Sequence, residues 1–193
     1  MAHWSEKKTV YEGSILTVKS GRVVLDNGES LAFDVVEHAG GVAVVPLLEA
    51  HAGNPTGHSL GPRVFLVRQP RLAIGELLLE IPAGKREGAD DDLEARAQAE
   101  LEEETGYRAG RLVQVADFYV SPGYTTERIA IFLAFDLSYV GARPEATEEI
   151  TVVELPLDAV WHMLDGGHFH DGKTIIGLRE LLAYFDRERL SHD

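Results

Sequence analysis

A chain of 193 residues with 45% hydrophobic and 26% charged side chains can bury the core of one ordinary domain plus a small appendage, and is not the composition of a disordered chain. Its formal net charge of −14, from 18 basic and 32 acidic side chains, repels phosphate backbones and argues against nucleic acid as the main partner. Cysteine is absent, which excludes disulfides and thiolate zinc sites.

The first twenty residues hold Glu6, Lys7, Lys8 and Glu12 without an apolar run of signal-peptide length. No stretch approaches the roughly 20 apolar residues of a spanning helix. A cytoplasmic protein without a membrane partner is therefore expected. Residues 9–38 alternate apolar and polar side chains over short runs, and Asp26-Asn27-Gly28 separates two of them. An Asn-Gly pair in that setting predicts a hairpin, hence an antiparallel sheet over residues 1–38. Such a sheet is too small to be stable alone and needs a larger body or a second chain to pack on.

Residues 39–193 read as the main domain. Gly41 to Leu48 is a continuous apolar run of buried-strand length, and residues 49–62 read as a long loop rich in Gly, His, Pro, Asn and Ser. Strands are predicted at Arg63–Arg68 and Leu77–Ile81, the latter stopped by Pro82-Ala83-Gly84. Residues 91–105 contain neither Gly nor Pro and are followed by Gly106, which predicts a helix with a glycine stop. Three more strands follow at Leu112–Val120, Arg128–Leu137 and Ile150–Leu155. Helices are predicted at Leu157–Leu164 and Thr174–Leu190. The expected class is α+β, a mixed sheet between helices with a small N-terminal antiparallel sheet.

The informative stretch is Gln98-Ala99-Glu100-Leu101-Glu102-Glu103-Glu104-Thr105-Gly106. On a helix Glu100 shares a face with Glu103 and Glu104, and like charges at that spacing cost roughly 0.2–0.5 kcal/mol per pair. Either the face is simply solvated or it carries a divalent cation, since hard cations take carboxylate oxygens together with water and phosphate. His168 and His170 flank Phe169, and His51 and His58 lie in the long loop; neither pair forms a recognisable constellation.

The flanks favour the cation. Pro82-Ala83-Gly84 after a strand, an acidic loop, and a helix ending in Gly106-Tyr107 together resemble the Nudix box. Three departures stand out. One residue is inserted between Gly84 and Glu100, Asp90 or Asp91 stands at the first acidic position, and Ala99 occupies the place of the box arginine. Arg96, one turn before Glu100, is the candidate to replace that arginine. Over residues 9–190 the chain resembles the ADP-ribose pyrophosphatase branch through Val36-Glu37-His38, Val64 to Gln69, Arg71, Glu80 to Gly84, and Pro122 sixteen residues beyond Gly106.

The resemblance implies an α/β/α Nudix fold and Mg²⁺-dependent cleavage of a nucleoside-diphosphate-sugar, ADP-ribose above all, with Mn²⁺ as an alternative metal. It implies metal ligands at Glu100, Glu103, Glu104 and the carbonyl of Ala83, Glu103 being also catalytic. Arg71 would hold a substrate phosphate, with Arg68, Asp34 and Pro122 as further substrate contacts. Phe33 stands where the branch has an arginine before Asp34, so adenine recognition differs in detail. The general base would come from the loop holding Glu145, Glu148 and Glu149, alignment on Ile150 favouring Glu148 and then Glu149. The branch also implies a homodimer whose N-terminal sheets reach the partner's site. Two alternatives remain open at this stage: another nucleotide sugar or dinucleotide such as GDP-mannose or NADH, and a Nudix domain that binds such a ligand without turnover.

Overall fold

A computed structural model describes residues 1–49, 61–86, 88, 91–143 and 149–191. The chain opens with strands β1 (His3–Glu12), β2 (Thr17–Val24) and β3 (Ser30–Glu37), an antiparallel sheet in that order. The Asn-Gly corner turns as expected, over residues 25–29, with Gly28 at φ 83° donating its N–H to the Leu25 carbonyl at 2.9 Å. β1 begins at His3, six residues before the alternation in the sequence becomes regular. Register shifts between Trp4 and Glu6 and between Thr9 and Tyr11 break the period there, because each bulged residue moves those after it to the other face. Gly21 pairs with Lys7 just past the first shift, and a Cβ on it would overlap the Glu6 carbonyl.

The main body is a seven-stranded mixed sheet of β4 (Gly41–Leu48), β5 (Arg63–Arg71), β6 (Glu76–Glu80), β7 (Ala83–Lys85), β9 (Arg111–Tyr119), β10 (Arg128–Phe135) and β12 (Thr151–Pro156). Its spine runs β12-β5-β4-β10-β9, with β6 on β5 and β7 on β4. β10 lies parallel to β4 and the other pairs are antiparallel. Two short strands, β8 (Tyr107–Arg108) and β11 (Ser138–Tyr139), pair separately.

The apolar runs resolve into two faces by the two-residue period of a strand. Val42 and Val44 of β4, with Ala130, Phe132 and Ala134 of β10, meet Ala97 and Leu101 of helix α1 (Leu93–Thr105). The intervening Ala43, Val45, Leu47, Ile131, Leu133 and Phe135 meet Val160 and Leu164 of α2 (Leu157–Asp165) and Leu178 and Leu181 of α3 (Gly172–Ser191). Strands buried on both faces read as continuous apolar runs for this reason. Truncating a fully buried leucine such as Leu101 or Leu133 to Ala would cost about 2–5 kcal/mol. Among the described residues no helix is long and apolar enough to cross a membrane.

Two details of the sheet create the site. β4 and β5 pair only at Leu47–Val64 and Leu48–Arg63. Beyond that point β7 takes over the edge of β4, and β6 takes the edge of β5. The segment Pro82-Ala83-Gly84 therefore does more than stop a strand. Proline ends β6, and the chain returns at once as β7 opposite Gly41–Ala43.

Candidate active site

Helix α1 starts where Asp92 Oδ1 accepts the backbone N–H groups of Glu94 and Ala95, each at 3.1 Å, and ends at Gly106 in the left-handed region at φ 77°. Between these caps the helix period separates the glutamates. Glu102 turns outward to Arg108, with contacts of 2.7 and 2.9 Å, and this pairing holds its carboxyl below the usual range. Glu100 and Glu104 are buried, and Glu103 lines a cleft beside β7.

β7 receives the two buried carboxylates. Glu104 Oε2 accepts the Ala83 N–H at 3.1 Å. The Glu100 carboxylate lies on the α-carbon of Gly84, where any Cβ would overlap it. Arg96 pairs with Glu100 across one helical turn, and its Nε donates to the Lys85 carbonyl at 3.0 Å. The guanidinium thus performs the charge pairing that Ala99 cannot, and it ties α1 to β7.

Among the described residues no three His, Cys, Asp or Glu side chains already converge as an ion-binding group. Glu100 is turned to Arg96 and Glu104 to the Ala83 amide. The donor set nevertheless fits a hard divalent ion: three carboxylates within one turn of helix, two of them buried, beside a glycine whose missing Cβ makes the room.

The cleft has a volume of about 850 Å³. Glu100 and Glu103 form part of one wall, and Arg71, Glu80, Asp171 and Lys173 contribute to its lining. Glu80 is 1% exposed and accepts two hydrogen bonds from Arg71, to Nε at 2.7 Å and Nη2 at 2.6 Å. Lys173 pairs with the same carboxylate and with Asp171 at 3.0 Å. Asp171 in turn accepts from the Thr174 backbone at 2.9 Å and hydroxyl at 2.5 Å, and Thr174 Oγ1 accepts the Ile81 N–H at 3.0 Å. Burial pushes the Glu80 carboxyl up, but the Arg71 hydrogen bonds and the Lys173 charge outweigh it and hold the group below its ordinary value. Arg71 is correspondingly raised by Glu80.

The N-terminal sheet reaches the cleft at His38. Val36 donates to the Tyr124 carbonyl at 2.8 Å and accepts from Thr126 N–H at 3.0 Å, while the His38 N–H donates to Thr126 Oγ1 at 3.0 Å. His38 Nδ1 accepts the Gly40 N–H at 3.0 Å.

The structure brings Ala83, Glu100, Glu103 and Arg71 together as lining of the cleft, with Glu104 directly behind Ala83. Arg68 is exposed and lies outside the lining, because the strand period sends it away from Gln69 and Arg71. Asp34 is exposed opposite Ser20 in the N-terminal sheet, and Pro122 is exposed in the turn after β9. Within one chain neither lines the cleft. Glu149 is exposed just before β12, while Asp90, Glu145, Glu148 and the 50–60 stretch of the long loop lie outside the described residues. In the sequence Glu80 stands out only within the run Glu80 to Gly84 and without a site role, and Asp171 and Lys173 do not stand out at all. Their only local signals are a glutamate inside the apolar run Leu77–Ile81 and an aspartate three residues before Thr174.

An α/β/α sandwich with a carboxylate-bearing helix against a glycine strand defines a Nudix-type domain. The NUDIX domain model matches residues 39–176, and the chain belongs to the Nudix family. The ADP-ribose pyrophosphatase of Bacillus subtilis strain 168 is 30% identical over 177 residues, covering 91% of this chain and 89% of that protein. The methanol dehydrogenase activator of Bacillus methanolicus is 30% identical over 194 residues, covering 97% of each chain. The crystal structure of an ADP compounds hydrolase superposes with a TM-score of 0.80 at 19% identity, covering 97% of this chain and 95% of that one.

Proposed function

We propose that this protein hydrolyses the pyrophosphate of a nucleoside-diphosphate-sugar, ADP-ribose first, to AMP and ribose 5-phosphate. The observation that carries the reading is one cleft holding the α1 glutamates and Arg71 together. The similarity to a B. subtilis ADP-ribose pyrophosphatase over nine-tenths of both chains supports the substrate class.

In this reading Glu100, Glu103, Glu104 and the Ala83 carbonyl hold Mg²⁺, or Mn²⁺ in its place. Such an ion, when bound, polarises phosphoryl oxygens and lowers the pKa of a coordinated water. The chain does the rest. Arg71 binds a phosphate oxygen, and Arg96 keeps Glu100 oriented against Gly84. Glu148 or Glu149 takes a proton from water as its oxygen bonds to one phosphorus. The bridging P–O bond breaks, and the departing phosphate carries away the electron pair.

The protein acts, in this reading, as a cytoplasmic homodimer. Residues 1–38 form its appended sheet and 39–193 its hydrolase domain. β1 contains no buried residue in a single chain, and Asp34 is exposed and outside the lining of its own cleft, as a sheet offered to a partner's site would require.

The test is an assay of purified protein with Mg²⁺ and then Mn²⁺, following nucleoside monophosphate release from ADP-ribose, GDP-mannose, NADH and diadenosine polyphosphates. Preferred release of AMP from ADP-ribose supports the reading. Preference for another compound keeps the mechanism and moves the substrate. Silence across the panel overturns it in favour of a protein that binds without turnover.

A further inference from the structure

Resting on the reading above, we infer that Glu80 is a positioning residue that clamps Arg71, together with Lys173, in the geometry that receives the substrate phosphate. Glu80 belongs neither to the glutamates of α1 nor to the acidic loop before β12. It is 1% exposed, yet it lines the cleft wall. A buried carboxylate with one partner removed would be costly, and here Arg71 and Lys173 both close on it.

The geometry determines which part of Arg71 remains usable. Nε and Nη2 are spent on the two oxygens of Glu80, a fork-on-fork pairing that fixes the guanidinium plane. Nη1 is the nitrogen that this pairing leaves for the cleft. Lys173, 10% exposed, is held from the other side by Glu80 and Asp171, so it cannot swing away into solvent. Asp171 is itself anchored through Thr174 to the backbone of Ile81, one residue after Glu80. The clamp therefore closes on the strand that carries it, and α3 and β5 are held at a set separation across the cleft.

This arrangement separates two opposite expectations. If charge alone mattered, removing the Glu80 anion would leave Arg71 and Lys173 more attractive to a phosphate, and substrate would bind more tightly. If pre-organisation dominates, the freed arginine must be ordered again on binding, and affinity falls.

The experiment compares Glu80→Gln, Arg71→Lys, Arg71→Ala and the Glu80→Gln/Arg71→Ala double variant with the unmodified protein, using ADP-ribose and Mg²⁺. Glu80→Gln should raise KM about tenfold with kcat changed less than twofold, the pattern of lost uniform binding. Added to Arg71→Ala it should raise KM little further, because its effect passes through the arginine. Arg71→Lys keeps the charge but not the fork, and should raise KM nearly as much as Arg71→Ala. The Arg71 side-chain Nε–H resonance should exchange slowly in the ligand-free unmodified protein and fast in Glu80→Gln. A lowered KM in Glu80→Gln, or fully additive effects in the double variant, would overturn the inference. Should Glu80→Gln fail to fold, Arg71→Lys decides alone, and a KM like that of the unmodified protein sinks the clamp. Absence of turnover by the unmodified protein is a failure of the functional reading instead, and the exchange of Arg71 Nε–H still tests the clamp.

Discussion

The Glu100 carboxylate rests on the α-carbon of Gly84, so closely that no side chain can be added there. This contact joins the acidic helix to β7 and explains a glycine whose backbone needs no left-handed conformation. Gly84→Ala is expected to push the flexible Glu100 side chain aside and leave the strand in place. Metal affinity or turnover should fall roughly 10–100-fold, the usual cost of disturbing a ligand's support. Mg²⁺ activation curves and thermal melts test this; a variant with unchanged activation would show that Glu100 is no ligand.

Arg96→Ala should reproduce part of that loss. Its guanidinium holds Glu100 and the Lys85 carbonyl at once, so the variant should need about tenfold more Mg²⁺ for half-maximal activity. Restoring an arginine at position 99 in the same variant should recover some of it. No change in metal requirement would mean that Arg96 only stabilises the helix.

Glu103→Gln should abolish turnover while circular dichroism and melting remain near those of the unmodified protein. For the base, Glu148→Gln and Glu149→Gln should be compared side by side. The one that acts should lose about 10²–10⁴ in kcat with little change in KM. Equal activity of both variants would move the base outside this loop.

Acid should unfold the protein partly through Glu80. Its folded pKa lies below its ordinary value of 4.5, so its stabilising contribution is complete above that pH. The contribution is lost as pH falls through the folded value, where protonation weakens the Arg71 and Lys173 pairs. The melting-temperature gap between the unmodified protein and Glu80→Gln should therefore be widest near neutrality and close below pH 4.5. A gap independent of pH would contradict the linkage.

Removing residues 1–38 should yield monomers with a raised KM for ADP-ribose, measurable by light scattering and kinetics. The cut also removes His38 from the cleft and its backbone tie to Thr126. A truncated dimer with full activity would contradict a site shared between subunits.

Periodicity carried most of the architecture. The continuous apolar run at Gly41–Leu48 announced a buried strand, the strand expected at Arg128–Leu137 spans Arg128–Phe135, and the Gly-terminated helix ends at Thr105 as its pattern predicts. The same local arithmetic put Glu100, Glu103 and Glu104 on one helix face, with Glu102 alone outside it. Bulges hid the start of β1, since two register shifts erase the alternation on which the reading depends. β7 was hidden by Pro82 and Gly84, residues that signal a turn when read alone.

What the sequence by itself determined is whatever repeats within a few residues: faces, caps, turns and the spacing of the acidic helix. Only tertiary structure decided what lies opposite each face. Glu80 and Lys173 are separated by 93 positions, and no periodicity links them. Their pairing follows from α3 packing on β4, β9 and β10, which brings Lys173 in its first turn to the end of β6. In the same way β4 and β5 had to splay before α1 and Arg71 could share a cleft. Local spacing is set by backbone geometry, whereas these contacts are set by which buried surfaces fit together.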